Sequence, residues 1–550
     1  MHRYLRALLP LLLSSGTAHA TLDCDWDAVN SLLPPNVSLS FVTAIPENGT
    51  FTVPRGDTGW PTDPINLPSL CAIGATVLGD TANASFGFGL FLPSQWNGRT
   101  LTVGNGGLAG GVNWVDMVRK SPSTGLQPGT GVKYGHAVFS TDTGHNSSAT
   151  DASWAYQNPE SQVNWGWRAL HETVIYGKQI TEAFYGTRPS FHYYQGCSTG
   201  GRQGFKEAEA FPGDFDGIIA GAPAWWTFWV GYVNYISNIT MIPTSKFDVI
   251  GREVLRQCDG QDGLVDTIIS DPLGCNFNPE TLLCSSAVTD PTDAECLTAA
   301  QLQTFDTLSR DFRATNSTLV FPAWLRGSEH FWTLNIDGGA PNIIGLGYIQ
   351  YMLGLGPEWA WQSFNEDVIQ LSERLDPGQA DASAYNLSAF YHGGGKLLHY
   401  HGMSDGGIAT GASYYLYEQI DRTLSPQGVH VDDCYRFFPI FGMGHCLDTA
   451  DYVNAPYYIA GISMTINGKY SVPNFHDAKH DVLLALMEWV ENGTAPDAII
   501  GTAYAFYHNG CHHAPTAHLC PSQAGPVSGT RGSRPPEMKT VAWRMKSVSL

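Results

Sequence analysis

Positive charge is scarce in this chain. Its 550 residues carry 29 Lys+Arg against 50 Asp+Glu, a formal charge of −21, and only 14% of residues are charged at all. Such a surface repels polyanions, which excludes nucleic acid and charge-driven binding to anionic lipid. Long apolar runs are missing too. Nothing approaches the roughly 18 uninterrupted apolar residues of a membrane span, so no membrane partner is expected. No CxxC pair occurs, which argues against a zinc ribbon or a thioredoxin-type site. Internal repeats, low-complexity tracts and long charge runs are also absent, and solenoids go with them. What the chain does have is 43% hydrophobic and 12% aromatic residues, enough for a large core and incompatible with disorder throughout.

The N-terminus sets the compartment. Residues 1–20 (MHRYLRALLPLLLSSGTAHA) combine Arg3 and Arg6, a short apolar run from Ala7 to Leu13, and an Ala18-His19-Ala20 cleavage signal. This is a secretory signal peptide, and the mature chain is expected to be extracellular and to begin near Thr21. Two features agree. N-x-S/T sequons at Asn36, Asn48, Asn83, Asn146, Asn238, Asn316, Asn386 and Asn492 are spread along the chain, as glycans on loops would be. The 11 cysteines are an odd number, so pairing in an oxidising compartment leaves at least one thiol over.

Short apolar strands alternate with helical stretches from about Phe86 to Gly221. Phe86–Leu92, Thr100–Val103 and Phe191–Gln195 read as strands, and Trp165–Ala183 has helical spacing. The rhythm resumes with strands at Lys396–His401 and Tyr435–Phe441 and a helix at Asp481–Val490. Strand–helix alternation implies an α/β fold with a mostly parallel sheet. Between the two halves the character changes: the stretch carries Trp225, Trp226, Trp229, Trp332, Trp359 and Trp361 and a Cys/Asp-rich loop. The domain reading is therefore an α/β domain made of 21–221 and 383–550, with 222–382 inserted as a lid. Trp and Phe residues of the insertion are expected to line the pocket beneath it.

The chemistry is carried by three turns. Gly196-Cys197-Ser198-Thr199-Gly200 is a G-x-S-x-G between a strand and a helix over Arg202–Phe211, a sharp turn that lifts the Ser198 hydroxyl out at the sheet's carboxyl edge. The Thr199 N–H at the helix start points where an oxyanion forms. A serine nucleophile needs a base, and the base an orienting acid. Asp405 lies on the turn after strand Lys396–His401, and His445 on the turn after Tyr435–Phe441, giving the order Ser, Asp, His of α/β hydrolases. Cys197 precedes the nucleophile and Cys446 follows the histidine, so if Ser198 and His445 meet, a Cys197–Cys446 disulfide joins their turns. The glycine-rich stretch 103–111 lacks a P-loop ending. It reads instead as the loop giving the second oxyanion N–H, from Gly106 or Gly107, and Gly107 is the expected donor.

These residues resemble the CS–D–HC signature of the tannase and feruloyl esterase family, here Cys197-Ser198, Asp405 and His445-Cys446. Tyr194 to Gly204, Glu207-Ala208, Phe211-Pro212 and Asp214 to Ala224 match the family's longest block, and 103–107 and 500–502 fit as well. The segment after Tyr504 fits poorly, including Cys511-His512-His513. The resemblance implies an α/β-hydrolase core with a large lid, esterase activity on aromatic esters, a calcium in the lid and a disulfide behind the triad. It also implies the pairs Cys24–Cys71, Cys258–Cys275, Cys284–Cys296 and Cys511–Cys520, leaving Cys434 over.

For the implied calcium, Asp259, Asp262 and Asp266 fall at n, n+3 and n+7, and the backbone carbonyls of Leu264 and Ile268 would add oxygens to an irregular cage. The alternative is a solvated acidic loop pinned by Cys258–Cys275. The function expected is a secreted serine carboxylesterase that hydrolyses feruloyl and p-coumaroyl esters of plant cell-wall polysaccharide such as xylan. A tannase acting on galloyl esters is the nearest alternative. The chain lacks a Lys-Arg site, since its one dibasic pair, Arg119-Lys120, has the reversed order, and this favours the esterase. An inactive wall-binding protein on the same fold is the alternative of another class.

Overall fold

The computed structural model describes residues 23–117, 131–226, 242–286, 295–317, 319–337, 340–450, 452–453, 455, 465–466, 469–470, 477–501 and 543–544. The signal segment, Arg119-Lys120, Trp229, Asn238, Cys511, His512, His513 and Cys520 lie outside them. Nine strands form one sheet: β1 (Val37–Ile45), β2 (Leu70–Val77), β3 (Phe86–Pro93), β4 (Arg99–Val103), β5 (Ala137–Thr141), β6 (Phe191–Cys197), β7 (Gly217–Gly221), β8 (Lys396–Gly402) and β9 (Tyr435–Ile440). Their spatial order is β1-β2-β3-β5-β4-β6-β7-β8-β9. The first three strands and β5 pair antiparallel, and from β5 to β9 every pairing is parallel. The expected parallel sheet is therefore mixed, with an antiparallel end that the βα rhythm did not announce.

The central strands are buried on both faces, and their side chains alternate between two cores. Tyr194, Ile218, Ala220, Leu397 and Phe437 join one apolar cluster. Their neighbours Tyr193, Ile219, Leu398, Phe438 and Ile440 join the other. This is the period of two that a pleated strand imposes. Near-continuous apolar runs follow from covering both faces with helices.

Helix α1 (Ala169–Tyr185) ends at Gly186, whose φ of 65° is the left-handed C-cap conformation. Its expected first turn, at Trp165, is instead a wider turn over Asn164–Arg168. The carbonyls of Trp165 and Gly166 there accept hydrogen bonds from the buried Arg202 guanidinium at 3.2 and 2.7 Å. Helix α2 (Thr199–Ala210) follows β6 directly. Helix α3 (Val482–Asn492) is N-capped by Asp481, which accepts from Leu483 N, and it packs on β7 and β8.

Strands β7 and β8 are parallel neighbours, with Ile218 opposite Leu397. The chain from 222 to 395 therefore leaves the sheet and returns to the adjacent place. Its apolar residues, Ile250, Phe305 and Trp332 among them, continue the cluster that holds Tyr194 and Ala220. Arg202 pins the end of this excursion by donating to Ala380 O at 2.8 Å. Of the insertion's tryptophans, Trp226, Trp359 and Trp361 are half-buried and Trp229 lies outside the described residues. Trp225 and Trp332 are fully buried. Trp332 lies 5.4 Å from Trp324 and 5.9 Å from Phe305, ring centre to ring centre. Large rings fill the gap between excursion and sheet because they bury the most apolar surface per ordered side chain.

Candidate active site

Parallel pairing brings the carboxyl ends of β6, β7, β8 and β9 to one edge of the sheet: Cys197 is opposite Gly221, and Gly402 opposite Ile440. The turns bearing Ser198, Asp405 and His445 all leave from this edge. Ser198 has φ 62° and ψ −123°, a conformation that L-residues rarely adopt and that costs on the order of 1–3 kcal/mol. The surroundings hold it there. Ser198 N donates to Gly221 O at 2.9 Å, and Ser198 O accepts from Arg202 N and Ala224 N, each at 3.0 Å. The flanking glycines are obligatory. A Cβ at Gly196 would lie 2.6 Å from Gly200 O, and one at Gly201 2.3 Å from Gly221 O.

Asp405 is 1% exposed and accepts four hydrogen bonds. Gly407 N and Ile408 N bind its Oδ1 at 2.7 and 2.9 Å. His445 Nδ1 and His401 Nε2 meet its Oδ2 at 2.6 and 2.8 Å. Burial alone would push this carboxyl up, but the charge and hydrogen bond of His445 and the hydrogen bond of His401 outweigh it and hold the group below the usual carboxylate range. Asp405 is thus an anion with both oxygens occupied. Because His445 spends Nδ1 on it, Nε2 is the ring nitrogen left for a reacting proton.

Cys197 and Cys446 form a disulfide with a Cα–Cα distance of 6.0 Å, and both are fully buried. The bond fastens the nucleophile's turn to the histidine's turn. Three more pairs match the expectation, Cys24–Cys71, Cys258–Cys275 and Cys284–Cys296. Cys434 is the buried free thiol, which burial pushes up to about 12. It is therefore a poor nucleophile and acts as a small core residue.

The glycine-rich stretch after β4 lies against the start of α2. The Thr199 hydroxyl donates to Gly107 O at 2.8 Å, and Asn105 N donates to the Gln203 side chain at 3.0 Å. Gly107 has φ 56°, and a Cβ there would lie 2.7 Å from Ala149 O. Thr199 and Gly107 are both buried beside the Ser198 turn.

In the acidic loop, each proposed metal-ligating carboxylate also receives backbone N–H groups. Asp259 Oδ1 accepts from Asp266 N and Thr267 N, Asp262 from Leu264 N and Ser270 N, and Asp266 Oδ1 from Ile268 N. Burial, with the charges of Asp259 and Asp262 behind it, raises the Asp266 carboxyl, but the oxygens of the three acids do not gather within 4.8 Å of one another. Among the described residues, a different group holds its ligand-capable atoms within 4.8 Å of one another: His171, Glu207 and Asp214. Sequence spacing gave no sign of it, since the three come from α1, α2 and the following loop. Burial and the neighbouring Asp214 push the Glu207 carboxyl well up, and Lys178 donates to the Asp214 carbonyl.

A strained serine between β6 and α2, a buried Asp–His pair on the turns after β8 and β9, and a mixed sheet whose parallel strands carry all three at their carboxyl edge define an α/β-hydrolase fold. The chain belongs to the tannase and feruloyl esterase family, whose model matches residues 71–330 and 357–530. It is 31% identical over 518 residues to a probable feruloyl esterase B-2 of Aspergillus fumigatus, covering 91% of this chain and 92% of that one. A probable feruloyl esterase B of Emericella nidulans is 32% identical over 480 residues, 86% of this chain and 85% of its own. Among solved structures, feruloyl esterase B from Aspergillus oryzae superposes with a TM-score of 0.77 at 30% identity, covering 86% of this chain and 91% of its own. Tannin acyl hydrolase from Aspergillus niger shares the fold, with a TM-score of 0.67 at 22% identity over 86% of this chain and 88% of its own.

Proposed function

We propose that this protein is a secreted serine carboxylesterase that hydrolyses hydroxycinnamoyl esters, feruloyl and p-coumaroyl, of plant cell-wall polysaccharide. The observation that carries the chemistry is the 2.6 Å contact of Asp405 with His445, on a turn tied by Cys197–Cys446 to the strained Ser198. Ser198 Oγ attacks the ester carbonyl, and His445 takes its proton and passes it to the leaving alcohol. Asp405 keeps the imidazole in the tautomer that presents Nε2. The N–H groups of Thr199 and Gly107 receive the oxyanion. Water, deprotonated by His445, then releases the acid. The names of the B-type relatives favour a feruloyl over a galloyl substrate.

The choice between acids is read from kcat/KM on methyl ferulate and methyl gallate. The ferulate ester is expected to be preferred by about 10- to 200-fold, the discrimination an apolar pocket shaped around the vinyl spacer supplies, whereas a site built to bond three ring hydroxyls would reject ferulate by orders of magnitude. A preference for gallate would make the protein a tannase.

Residues 222–382 act in this reading as the lid, and the loop Asp259, Asp262, Leu264, Asp266 and Ile268 holds a structural calcium. The support is the presence of three acids on one short loop pinned by Cys258–Cys275, where the charges of Asp259 and Asp262 help to raise the Asp266 carboxyl. Chelation is expected to lower the melting temperature, and calcium to restore it more than magnesium, because an irregular oxygen cage suits the larger ion. Identical melting curves for metal-free and calcium-loaded protein would remove the ion from the reading.

Secretion is supported by the four disulfides and by the surface position of the sequons. Asn36, Asn48, Asn83, Asn146, Asn316, Asn386 and Asn492 are all exposed. Among the described residues, no helix is long and apolar enough to cross a membrane.

A further inference from the structure

We propose that His401 is a positioning residue for this site, which holds the Asp405 carboxylate in the orientation that His445 requires and is itself held by a buried chain through Ser413, His399 and Tyr435. The inference rests on the reading of Ser198, Asp405 and His445 as the triad. His401 is the penultimate residue of β8 and is completely buried. Its Nε2 lies 2.8 Å from Asp405 Oδ2 and 3.0 Å from Ile408 O. A carboxylate and a carbonyl only accept, so Nε2 carries the proton in either charge state of the ring. Both histidines therefore donate to the same oxygen, His445 at 2.6 Å and His401 at 2.8 Å, while two backbone N–H groups fix the other oxygen. The carboxylate cannot rotate without breaking one of four charge-assisted hydrogen bonds.

The support continues away from the site. His401 Nδ1 meets Ser413 Oγ at 2.6 Å, Ser413 Oγ meets His399 Nε2 at 2.9 Å, and His399 Nδ1 meets the Tyr435 hydroxyl at 2.7 Å. The Ser413 hydroxyl can donate to His401 Nδ1 while accepting from His399 Nε2–H, and His399 Nδ1 then accepts from the Tyr435 hydroxyl, so every proton in the chain has a partner. Ser413, His399 and Tyr435 are fully buried, and burial keeps the His399 ring neutral. Four polar side chains enclosed with their partners satisfied form a rigid unit, because each rotamer is fixed by the next. The alternation along β8 makes this possible. His399 and His401 are two residues apart and so face the same side of the sheet, toward the helix over Gly411–Leu424 that carries Ser413.

The test compares His401→Met, which keeps length and apolar bulk, with His401→Gln, whose amide can still donate to Asp405. Methyl ferulate turnover is measured per active site, counted with a serine-directed covalent probe, and Ser198→Ala runs in the same assay. His401→Met is expected to lower kcat by roughly ten- to a hundredfold, the worth of one hydrogen bond to a charged group, with KM within about twofold of the parent. His401→Gln is expected to recover most of the loss, and Ser413→Ala to lower kcat by a few-fold without changing KM. Unchanged kcat per labelled site in His401→Met would overturn the proposal, whatever happens to its melting temperature. So would a Gln variant no better than Met. Activity surviving in Ser198→Ala would instead overturn the triad on which the proposal rests.

Discussion

Replacing Ser198 by Ala lowers methyl ferulate turnover by roughly 10³-fold or more and leaves the melting temperature nearly unchanged. The loss is large because nucleophile, base and acid work as a unit, and removing one leaves only substrate binding and the oxyanion donors. Stability is spared because the backbone at 198 is held by Gly221 O, Arg202 N and Ala224 N, none of which involves the hydroxyl. Steady-state kinetics and a thermal melt of the same preparation check both halves. Retention of more than a few per cent of the activity would place the nucleophile elsewhere. The strained φ of 62° adds a refinement. Ser198→Gly is expected to melt higher than Ser198→Ala, since glycine accepts that conformation without penalty.

The second large effect concerns the two cysteines beside the triad. Changing both Cys197 and Cys446 to Ala is expected to depress kcat more than it raises KM, and to lower stability by at most about 5 kcal/mol on the chain-entropy model. The disulfide spans a sequence separation of 249 and closes the largest loop of the four. Its catalytic weight is geometric. The Cα atoms it joins, 6.0 Å apart, belong to the residues adjoining the nucleophile and the base, and errors of about 1 Å in such a pair are costly. Urea melts together with kcat and KM for the double variant separate the two effects. A Cys197 peptide found linked to any cysteine but Cys446 in a non-reduced digest would remove the argument.

The site was more legible in the sequence than the fold around it. Ser198, Asp405 and His445 stood at strand ends because the strands before them, Phe191–Cys197, Lys396–Gly402 and Tyr435–Ile440, are apolar runs closed by glycine-rich turns. The partner of Cys197 could be inferred because it adjoins the nucleophile. The antiparallel end of the sheet was not read, although β1 carries exposed residues that alternate with Val37 and Leu39. Residues 31–78 lack the helices that made the other strands visible. Histidines 399 and 401 were legible as strand residues only. Their role depends on Ser413 and Asp405, which the turn after β8 brings back to them, and no local pattern encodes that return. An aromatic residue reads the same in a sequence whether it faces a substrate or fills a core, and of the insertion's tryptophans Trp225 and Trp332 are fully buried while Trp226, Trp359 and Trp361 are half-buried.

The separation of β7 from β8 along the chain has a consequence for biosynthesis. When Cys197 leaves the ribosome, Asp405, His445 and its own partner Cys446 do not yet exist, and neither do strands β8 and β9 that complete the sheet edge. Domains fold as they emerge, and contacts close in sequence form before distant ones. Cys258–Cys275 and Cys284–Cys296, with separations of 17 and 12, can oxidise while β8 is still untranslated. Cys197 has to wait as a thiol until nearly 250 further residues have been added. Its pairing with Cys446 cannot precede synthesis of residue 446, and a chain halted before that point carries Ser198 without the cysteine that adjoins His445, so the proposed triad can be locked only near the end of synthesis.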